Sequence, residues 1–252
     1  MINIKNLSVS FDNKNILNNI NLEIERENTF VFFGKNGSGK SVFLKTIAGL
    51  IENYSGNIEI NGNDLKKFYN VNKYNKTQEK LDFTISYVFQ KGGLFDSMNV
   101  FENVAFPLRR QGKNDSDIAD IVTKSLKRVG LSGNENKLPS ELSGGMQKRV
   151  GLARAICTNP DIILYDDPTA GLDPVLSDSI SDIIGEIKNI NRTTSLVVTH
   201  DIRVAEKVAD KVALLYNGEF VFSGPAQDFF NGNNAYARQF IEAKLEGPID
   251  IF

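Results

Sequence analysis

Residues 34–41 read GKNGSGKS, which matches the pattern G-x-x-x-x-G-K-[ST]. Glycines at this spacing let successive backbone N–H groups turn inward around phosphate oxygens, and the helix that follows favours negative charge at its start. Lys40 can reach the β- and γ-phosphates, and the Ser41 hydroxyl can ligate Mg²⁺. We therefore predict that this segment, the phosphate-binding loop, binds a nucleoside triphosphate. Its members are Gly34, Lys35, Asn36, Gly37, Ser38, Gly39, Lys40 and Ser41.

The segments on either side of the loop agree with this prediction. Residues 29–33 form a short, mostly apolar run typical of a buried strand. After the loop, Val42, Phe43, Ile47 and Leu50 recur at helical spacing. A glycine-rich loop could match the pattern by chance, but a strand before it and a helix after it is the context that phosphate binding requires.

Composition limits the remaining possibilities. The 252 residues allow one large domain or a domain with a subdomain, and a formal net charge of −2 offers no electrostatic reason to expect nucleic acid. Cys157, the single cysteine, excludes an intramolecular disulfide and lies in an apolar stretch that predicts a buried structural thiol. Residues 1–5 lack a signal-peptide core, and no apolar run could span a bilayer. We expect a soluble, cytoplasmic protein that reaches membranes through a partner.

The first third of the chain alternates apolar and polar residues. Residues 2–11 hint at an edge strand, residues 20–24 form a second strand, and residues 58–60 end at the turn dipeptide Asn61 and Gly62. These pieces predict a small antiparallel sheet beside the phosphate-binding loop. Residues 66–80 are rich in Lys and Asn with interleaved aromatics, and a solvated loop is favoured there over a nucleic-acid or lipid surface.

The middle of the chain is predicted to be mostly helical. Asn99 and Glu102 fit a capping box, Pro107 should limit the helix that they open, and Asp115 can cap the next one. Another helix opens at residues 143–145. We therefore predict an inserted helical subdomain over about residues 91–159.

Strands then alternate with helices through the rest of the chain. Buried strands are predicted at residues 162–165 and 196–198, a hairpin at residues 212–222, and a final helix at about residues 235–245. Asp201 should cap the helix between the second strand and the hairpin. This pattern predicts an α/β fold with a mostly parallel sheet covered on both faces.

Ligands of such sheets bind beyond the carboxyl ends of the strands, where four polar residues are expected to meet. Ser41, Gln90, Asp166 and His200 each follow a predicted strand. Asp166 can hold Mg²⁺, and Gln90 can ligate the metal or position the attacking water. Asp167 is the candidate that orients or deprotonates that water, and His200 is expected to contact the γ-phosphate. The alternatives are a turn cap for Asp166 and a packed or surface role for the lone histidine.

Residues 142–147 (LSGGMQ) provide a second candidate anion-binding surface. Ser143, Gly144 and Gly145 lie at a helix N-terminus, although the string alone could be a simple helix cap. Both phosphate sites are explained if a second copy supplies this surface, so that two ATP molecules lie in a symmetric dimer.

These motifs resemble, in order and over essentially the whole chain, the nucleotide-binding subunits of ATP-binding cassette (ABC) transporters. The resemblance implies a P-loop NTPase (RecA-like) core, a small antiparallel β-subdomain and a helical subdomain, forming one nucleotide-binding domain over residues 1–252. It also implies Mg²⁺-dependent ATP hydrolysis, a homodimer and an integral-membrane permease. Phe11 matches the aromatic residue that stacks on adenine. The matching motifs are residues 34–41, Gln90, residues 142–147, Asp166, Asp167, residues 170–173 and His200.

Residues 89–109 resemble a narrower group, the ATPases of Mla (maintenance of lipid asymmetry) and related Mce-type lipid transporters. The end of the chain, about residues 235–252, is similar to the C-terminal extension of that group. This resemblance implies phospholipid transport between bacterial membranes from the cytoplasmic face of the inner membrane. The implied partners are a permease, a STAS-domain protein and an Mce-domain lipid-binding protein. Phe95, Phe101 and Phe106 are candidates for contact with the permease, and the alternative for some of them is a place in the core.

The chain departs from the family at the position of the catalytic carboxylate, where Asp167 replaces the usual Glu. The side chain is shorter by one C–C bond, about 1.5 Å. A misplacement of roughly 1 Å can cost on the order of a hundredfold in rate. We therefore expect hydrolysis to be slower than in an Asp167→Glu variant.

Two other functions remain open at this point. One is transport of a different cargo, such as methionine or another amino acid. The other is a non-transport ABC protein, for example a scaffold. DNA-repair and translation factors of this family carry tandem cassettes or long coiled coils, and this chain has neither.

Overall fold

The structure, a computed structural model, describes residues 1–12, 14–67 and 81–250. Most of the Lys/Asn-rich stretch, residues 68–80, therefore lies outside the described residues, and so does the end of the chain from residue 251. The strands are β1 Ile2–Phe11, β2 Lys14–Ile24, β3 Thr29–Gly34, β4 Ser55–Ile60, β5 Asn63–Asp64, β6 Ile85–Val88, β7 Ile162–Asp166, β8 Thr194–Val198, β9 Lys211–Tyr216 and β10 Glu219–Pro225. The helices are α1 Lys40–Ile47, α2 Val100–Arg110, α3 Asp115–Arg128, α4 Gly144–Ile156, α5 Pro174–Asn191, α6 Ile202–Val208, α7 Ala226–Phe230 and α8 Ala235–Ile241.

The larger sheet has the strand order β10-β9-β3-β8-β7-β6 across the described part of the chain. Its strands from β9 to β6 pair in parallel, and only the hairpin strand β10 runs antiparallel to its neighbour. Both faces are covered, because Phe30 and Phe32 of β3 belong to one core cluster and Val31 and Phe33 to another. The prediction of an α/β fold with a mostly parallel sheet is confirmed.

The smaller sheet is antiparallel and has the order β2-β1-β4-β5. The prediction that residues 2–11 form an edge strand is wrong, since Ile4 faces Leu22 of β2 on one side and Ile58 of β4 on the other. Alternating apolar residues indicate which face of a strand is buried, but they do not reveal which strands pair with it laterally.

The capping box at the start of α2 is confirmed. The Asn99 side chain accepts a hydrogen bond from the Glu102 N–H at 2.8 Å, and the Glu102 side chain accepts one from the Asn99 N–H at 3.0 Å. Pro107 lies inside α2 and does not end it, contrary to prediction. A proline removes one intrahelical hydrogen bond, but burial of Val104 and Leu108 on the same face stabilises the continued helix.

Three other helix boundaries bear on the predictions. Asn114, and not Asp115, caps α3, because its side chain accepts a hydrogen bond from the N–H of Asp117 at 2.9 Å. Asp201 caps α6 as predicted. The last helix is shorter than predicted: it ends at Ile241, and Ala243 then adopts a φ of +50° that turns the chain back.

The segment after α8 packs against that helix. Buried Gln239 donates a hydrogen bond to the carbonyl of Ile249 at 2.9 Å and accepts one from its N–H at 2.7 Å.

Cys157 is buried in the core as predicted. Across the described ranges, no helix is long and apolar enough to cross a membrane.

Candidate functional site

The phosphate-binding loop connects the end of β3 to the start of α1. Gly37 and Gly39 have φ values of +79° and +105°, and Gly39 is the N-cap of α1. Only glycine adopts such values without strain, so the backbone N–H groups can turn toward one point. The Lys40 ammonium donates hydrogen bonds to the carbonyls of Gly34 at 2.7 Å and Lys35 at 3.0 Å. The lysine is thus folded over the loop, and partial burial lowers its pKa.

Asp166 ends β7 and is held from two sides. The Ser41 hydroxyl donates a 2.6 Å hydrogen bond to Oδ1 of Asp166, and the Tyr87 hydroxyl donates a 2.8 Å hydrogen bond to Oδ2. Ser41 and Asp166 lie far apart in the sequence, and the parallel arrangement of β3, β8 and β7 brings them together. Asp166 is buried, so both donors compensate for the lost hydration of its carboxylate.

Asp167 follows Asp166 in an unusual backbone conformation, with a φ of +50°. Its Oδ2 lies 3.0 Å from Nδ1 of His200, whereas its buried Oδ1 has no hydrogen-bond partner among the described residues. Burial raises the pKa of Asp167, and the nearby His200, Lys148 and Lys40 oppose that rise. The carboxylate is therefore held at one oxygen and unpaired at the other.

A single cavity of about 460 Å³ collects most of the predicted site residues. Phe11 lies at its edge, 44% exposed at the end of β1. Lys35 and Ser38 line a neighbouring cavity of about 430 Å³ that also includes Asn36 and Gly37. His200 reaches the site through its contact with Asp167. The residues lining the first cavity are Phe11, Ile16, Asn36, Gly37, Gly39, Lys40, Ser41, Val42, Gln90, Asp166, Asp167 and Val198.

Ser143, Gly144 and Gly145 lie elsewhere in the molecule. Of the described residues that line the cavity, none comes from residues 143–145. The Ser143 hydroxyl accepts a hydrogen bond from the N–H of Met146 at 3.3 Å and caps α4, and Ser143 and Gly144 are exposed. This turn therefore faces outward on the same chain that holds the phosphate-binding loop.

Two residues of the site were missed by the sequence analysis. Tyr87 contacts Asp166, and Lys148 donates hydrogen bonds to the carbonyls of Pro168 and Ala170 in the turn after Asp167. The period of strand β6 places Tyr87 on the same face as Phe89, but nothing in the sequence indicates which residue of β7 it meets.

The oxygen atoms of the cavity suit a hard divalent cation and a phosphate chain. Mg²⁺ is usually held by one or two protein oxygens together with substrate phosphates. The Ser41 hydroxyl, the Asp166 carboxylate and the Gln90 amide could provide such oxygens. The loop N–H groups and Lys40 could hold the phosphates, and the unpaired Oδ1 of Asp167 could accept a proton or hydrogen bond from water.

Comparisons with known proteins agree with this arrangement. The family model described as "ABC transporter" matches residues 17–170. In structure, the chain resembles the dimeric ATP-binding cassette MJ0796 in a post-hydrolysis state bound to ADP and Pi. The TM-score is 0.79 and the identity 29%, over 90% of this chain and 99% of that one.

Three relatives are similar over nearly the whole chain. The probable ribonucleotide transport ATP-binding protein mkl of Mycobacterium leprae is 39% identical, covering 99% of this chain and 71% of that protein. The methionine import ATP-binding protein MetN of Carboxydothermus hydrogenoformans is 36% identical, covering 97% and 72%. The intermembrane phospholipid transport system ATP-binding protein MlaF of Haemophilus influenzae is 32% identical, covering 99% and 93%. The chain therefore belongs to the ABC transporter family, as an ATP-binding subunit.

Proposed function

We propose that this chain binds Mg-ATP in the 460 Å³ cavity and hydrolyses it as the motor of a phospholipid transporter. The observation that carries the ATPase proposal is the meeting of three elements in that cavity: the phosphate-binding loop, Asp166 paired with Ser41, and Asp167 paired with His200. These contacts join the ends of β3, β7 and β8, where ligands of parallel sheets bind.

Each residue has a role in this proposal. Residues 34–41 hold the phosphates, and Phe11 stacks on the adenine. The Lys40 ammonium exchanges its loop carbonyls for phosphate oxygens when ATP binds. Ser41, Asp166 and Gln90 hold Mg²⁺, which would neutralise charge on the phosphates. Asp167 orients or deprotonates the attacking water, and His200 fixes the carboxylate and contacts the γ-phosphate.

The turn at residues 143–145, with Ser143 and Gly144 exposed, supports a homodimer. It cannot serve the cavity of its own chain from its observed position, but in a symmetric pair it would reach the ATP bound to the partner. The similarity to MJ0796, whose structure is dimeric, agrees with this arrangement. We propose that ATP binding closes the pair and that hydrolysis reopens it.

The proposed cargo is phospholipid, moved by an Mla-type complex on the cytoplasmic face of the inner membrane. The MlaF alignment covers 99% of this chain and 93% of MlaF, so the two proteins share nearly their whole length. The partners would be a permease, a STAS-domain protein and an Mce-domain protein. The segment after Gln90, with Phe95, Phe101 and Phe106 as candidate contacts, would dock the permease, and about residues 235–252 would form a C-terminal extension.

A different cargo is the second candidate, because mkl and MetN have higher identities and their names give ribonucleotide transport and methionine import. Both alignments cover a smaller share of the relative than the MlaF alignment does. A non-transport scaffold ATPase is the third. Purification with its membrane partners separates the three: an associated permease excludes the scaffold, and bound phospholipid with an Mce-domain protein favours lipid over the other cargoes.

The ATPase part of the proposal is tested with Lys40→Ala and a control on the same helix, Lys45→Ala. We expect Lys40→Ala to abolish ATP hydrolysis by the assembled complex and Lys45→Ala to retain it, because Lys45 lies in the last turn of α1. Equal activity of the two variants would overturn the assignment of this cavity.

The dimer part of the proposal is tested by the oligomeric state of Asp167→Asn protein in saturating Mg-ATP. A protein that stays strictly monomeric, even with its permease, would overturn the dimer.

A further inference from the structure

Tyr87 is the second hydrogen-bond donor to Asp166 and lies on a strand outside the recognised motifs. Its hydroxyl contacts Oδ2 at 2.8 Å while the Ser41 hydroxyl contacts Oδ1 at 2.6 Å. With a donor on each oxygen, rotation of the carboxylate about its Cβ–Cγ bond would break at least one hydrogen bond to a buried charged group. The two hydroxyls therefore define one orientation of Asp166.

The position of Tyr87 is itself well determined. In the parallel ladder of β6 and β7, Tyr87 pairs with Leu164, two residues before Asp166 on the same face of β7. The Tyr87 ring packs on Phe89 with a centroid distance of 4.6 Å. The Phe89 ring in turn packs against Gly93, where a Cβ atom would lie only 2.8 Å from it.

We propose that Tyr87 is a positioning residue for the Mg²⁺ site, in which its hydroxyl holds Oδ2 of Asp166 so that Oδ1 stays next to Ser41. The Ser41 hydrogen is then directed to Oδ1, and the lone pairs of the Ser41 oxygen remain available to a metal ion. This inference rests on the proposed function, namely binding of ATP together with Mg²⁺.

The expected effect follows from the fraction of molecules with a correctly oriented carboxylate. Without the phenol, Oδ2 loses its donor and Asp166 gains alternative orientations, which lowers the apparent affinity for the metal in proportion to the competent fraction. A hydrogen bond to a charged group is worth about tenfold or more in an equilibrium constant. Affinity for nucleotide alone depends on the loop and Lys40, which Tyr87 does not contact through any described hydrogen bond.

The test uses Tyr87→Phe and the matched control Tyr165→Phe. Tyr165 is fully buried and directly precedes Asp166, but its side chain belongs to the core cluster on the opposite face of the sheet. Binding of a fluorescent ATP analogue is titrated in Mg²⁺ and in EDTA, and the ratio of the two affinities is the Mg²⁺ enhancement. We expect Tyr87→Phe to reduce the enhancement about tenfold with little change in EDTA, and Tyr165→Phe to leave it at the wild-type value.

A double variant shows whether Tyr87 acts through Asp166. In an Asp166→Asn background, Tyr87→Phe is expected to cause no further loss of enhancement, because the two residues act as one unit. Should Tyr87→Phe fold poorly, Phe89→Leu removes the ring that supports Tyr87 at an exposed position and is expected to lower the enhancement by a smaller factor.

The outcomes that contradict the expected results separate the role of Tyr87 from the proposed Mg²⁺ binding. The role of Tyr87 would be overturned if Tyr87→Phe kept the wild-type Mg²⁺ enhancement, or if it lost nucleotide affinity equally in Mg²⁺ and in EDTA. It would also be overturned if Tyr87→Phe lowered the enhancement further in the Asp166→Asn background. Absence of any Mg²⁺ enhancement in the wild-type protein would instead overturn the Mg²⁺ part of the proposed function, and this inference with it.

Discussion

The Nδ1 atom of His200 lies 3.0 Å from Oδ2 of Asp167, and this contact fixes the direction of the Asp167 carboxylate. The backbone at Asp167 has a φ of +50°, a region that Asp adopts more readily than most residues. The contact leaves Oδ1 of Asp167 buried and, among the described residues, without a hydrogen-bond partner. That oxygen is the one available to a water molecule.

We expect Asp167→Glu to hydrolyse ATP faster than the wild-type protein, by about tenfold or more. The longer side chain would carry the carboxylate about 1.5 Å closer to the attacking water, and rate depends steeply on such distances. Steady-state turnover of the two proteins, each assembled with its permease, decides the question. Asp167→Asn is the control and should be nearly inactive. A Glu variant that is equal to or slower than the wild-type protein would contradict the prediction.

The pH dependence of hydrolysis should report the raised pKa of Asp167. Because burial favours the neutral form, the carboxyl holds its proton to a higher pH than a free aspartate, whose pKa is about 3.9. A base must be ionised, so the rate should increase with pH through this raised pKa and be lost below it. Single-turnover rates across the acid range provide the measurement. An acid limb that coincides with the pKa of free aspartate would argue against Asp167 as the base.

The parts of the site that sequence reasoning predicted are those carried by local patterns. The phosphate-binding loop and the capping box at Asn99 depend on residues only a few positions apart, and local spacing determines such structures. Asp166 could be placed because it ends an apolar strand. The family resemblance then related motifs that are distant in the sequence.

The features that were missed or mistaken depend on contacts between distant segments. The interior position of β1 follows from pairing with β4, about fifty residues away, which no alternation of residues can indicate. The contact of Tyr87 with Asp166 likewise depends on the register of β6 against β7. α2 continues past Pro107 because tertiary burial outweighs one lost hydrogen bond.

Two helical glycines differ in the space around them, which predicts opposite effects of alanine. Gly151 of α4 packs closely against the loop after β6, whereas Gly185 of α5 has open space around it. A Cβ atom at Gly151 would lie 2.8 Å from the carbonyl oxygen of Gly92, whereas one at Gly185 would meet nothing within 4 Å. We expect Gly151→Ala to destabilise the protein by about 1–3 kcal/mol through overpacking. Gly185→Ala should stabilise it by about 0.5–1 kcal/mol, because alanine favours the helix. Urea unfolding of both variants is the measurement, and equal shifts would contradict this packing.

Lys148 should support catalysis without binding ATP. It lies on the helix that begins after Ser143, and its ammonium donates hydrogen bonds to the carbonyls of Pro168 and Ala170, in the turn that carries Asp167. Its charge also helps to keep Asp167 ionised. We therefore expect Lys148→Met to lower single-turnover hydrolysis about tenfold while nucleotide affinity changes little, since a hydrogen bond from a positively charged donor is worth about 1.5–3 kcal/mol.

The pH profile distinguishes this role from a purely structural one. With the lysine charge removed, the pKa of Asp167 should rise further, so the acid limb of the rate should move to higher pH. Lys207→Met is the control, because Lys207 is a surface residue that pairs with Asp178 and Asp182. It should change neither the rate nor the profile. A slower Lys148→Met protein with an unshifted acid limb would mean that Lys148 supports the turn without influencing the charge of Asp167.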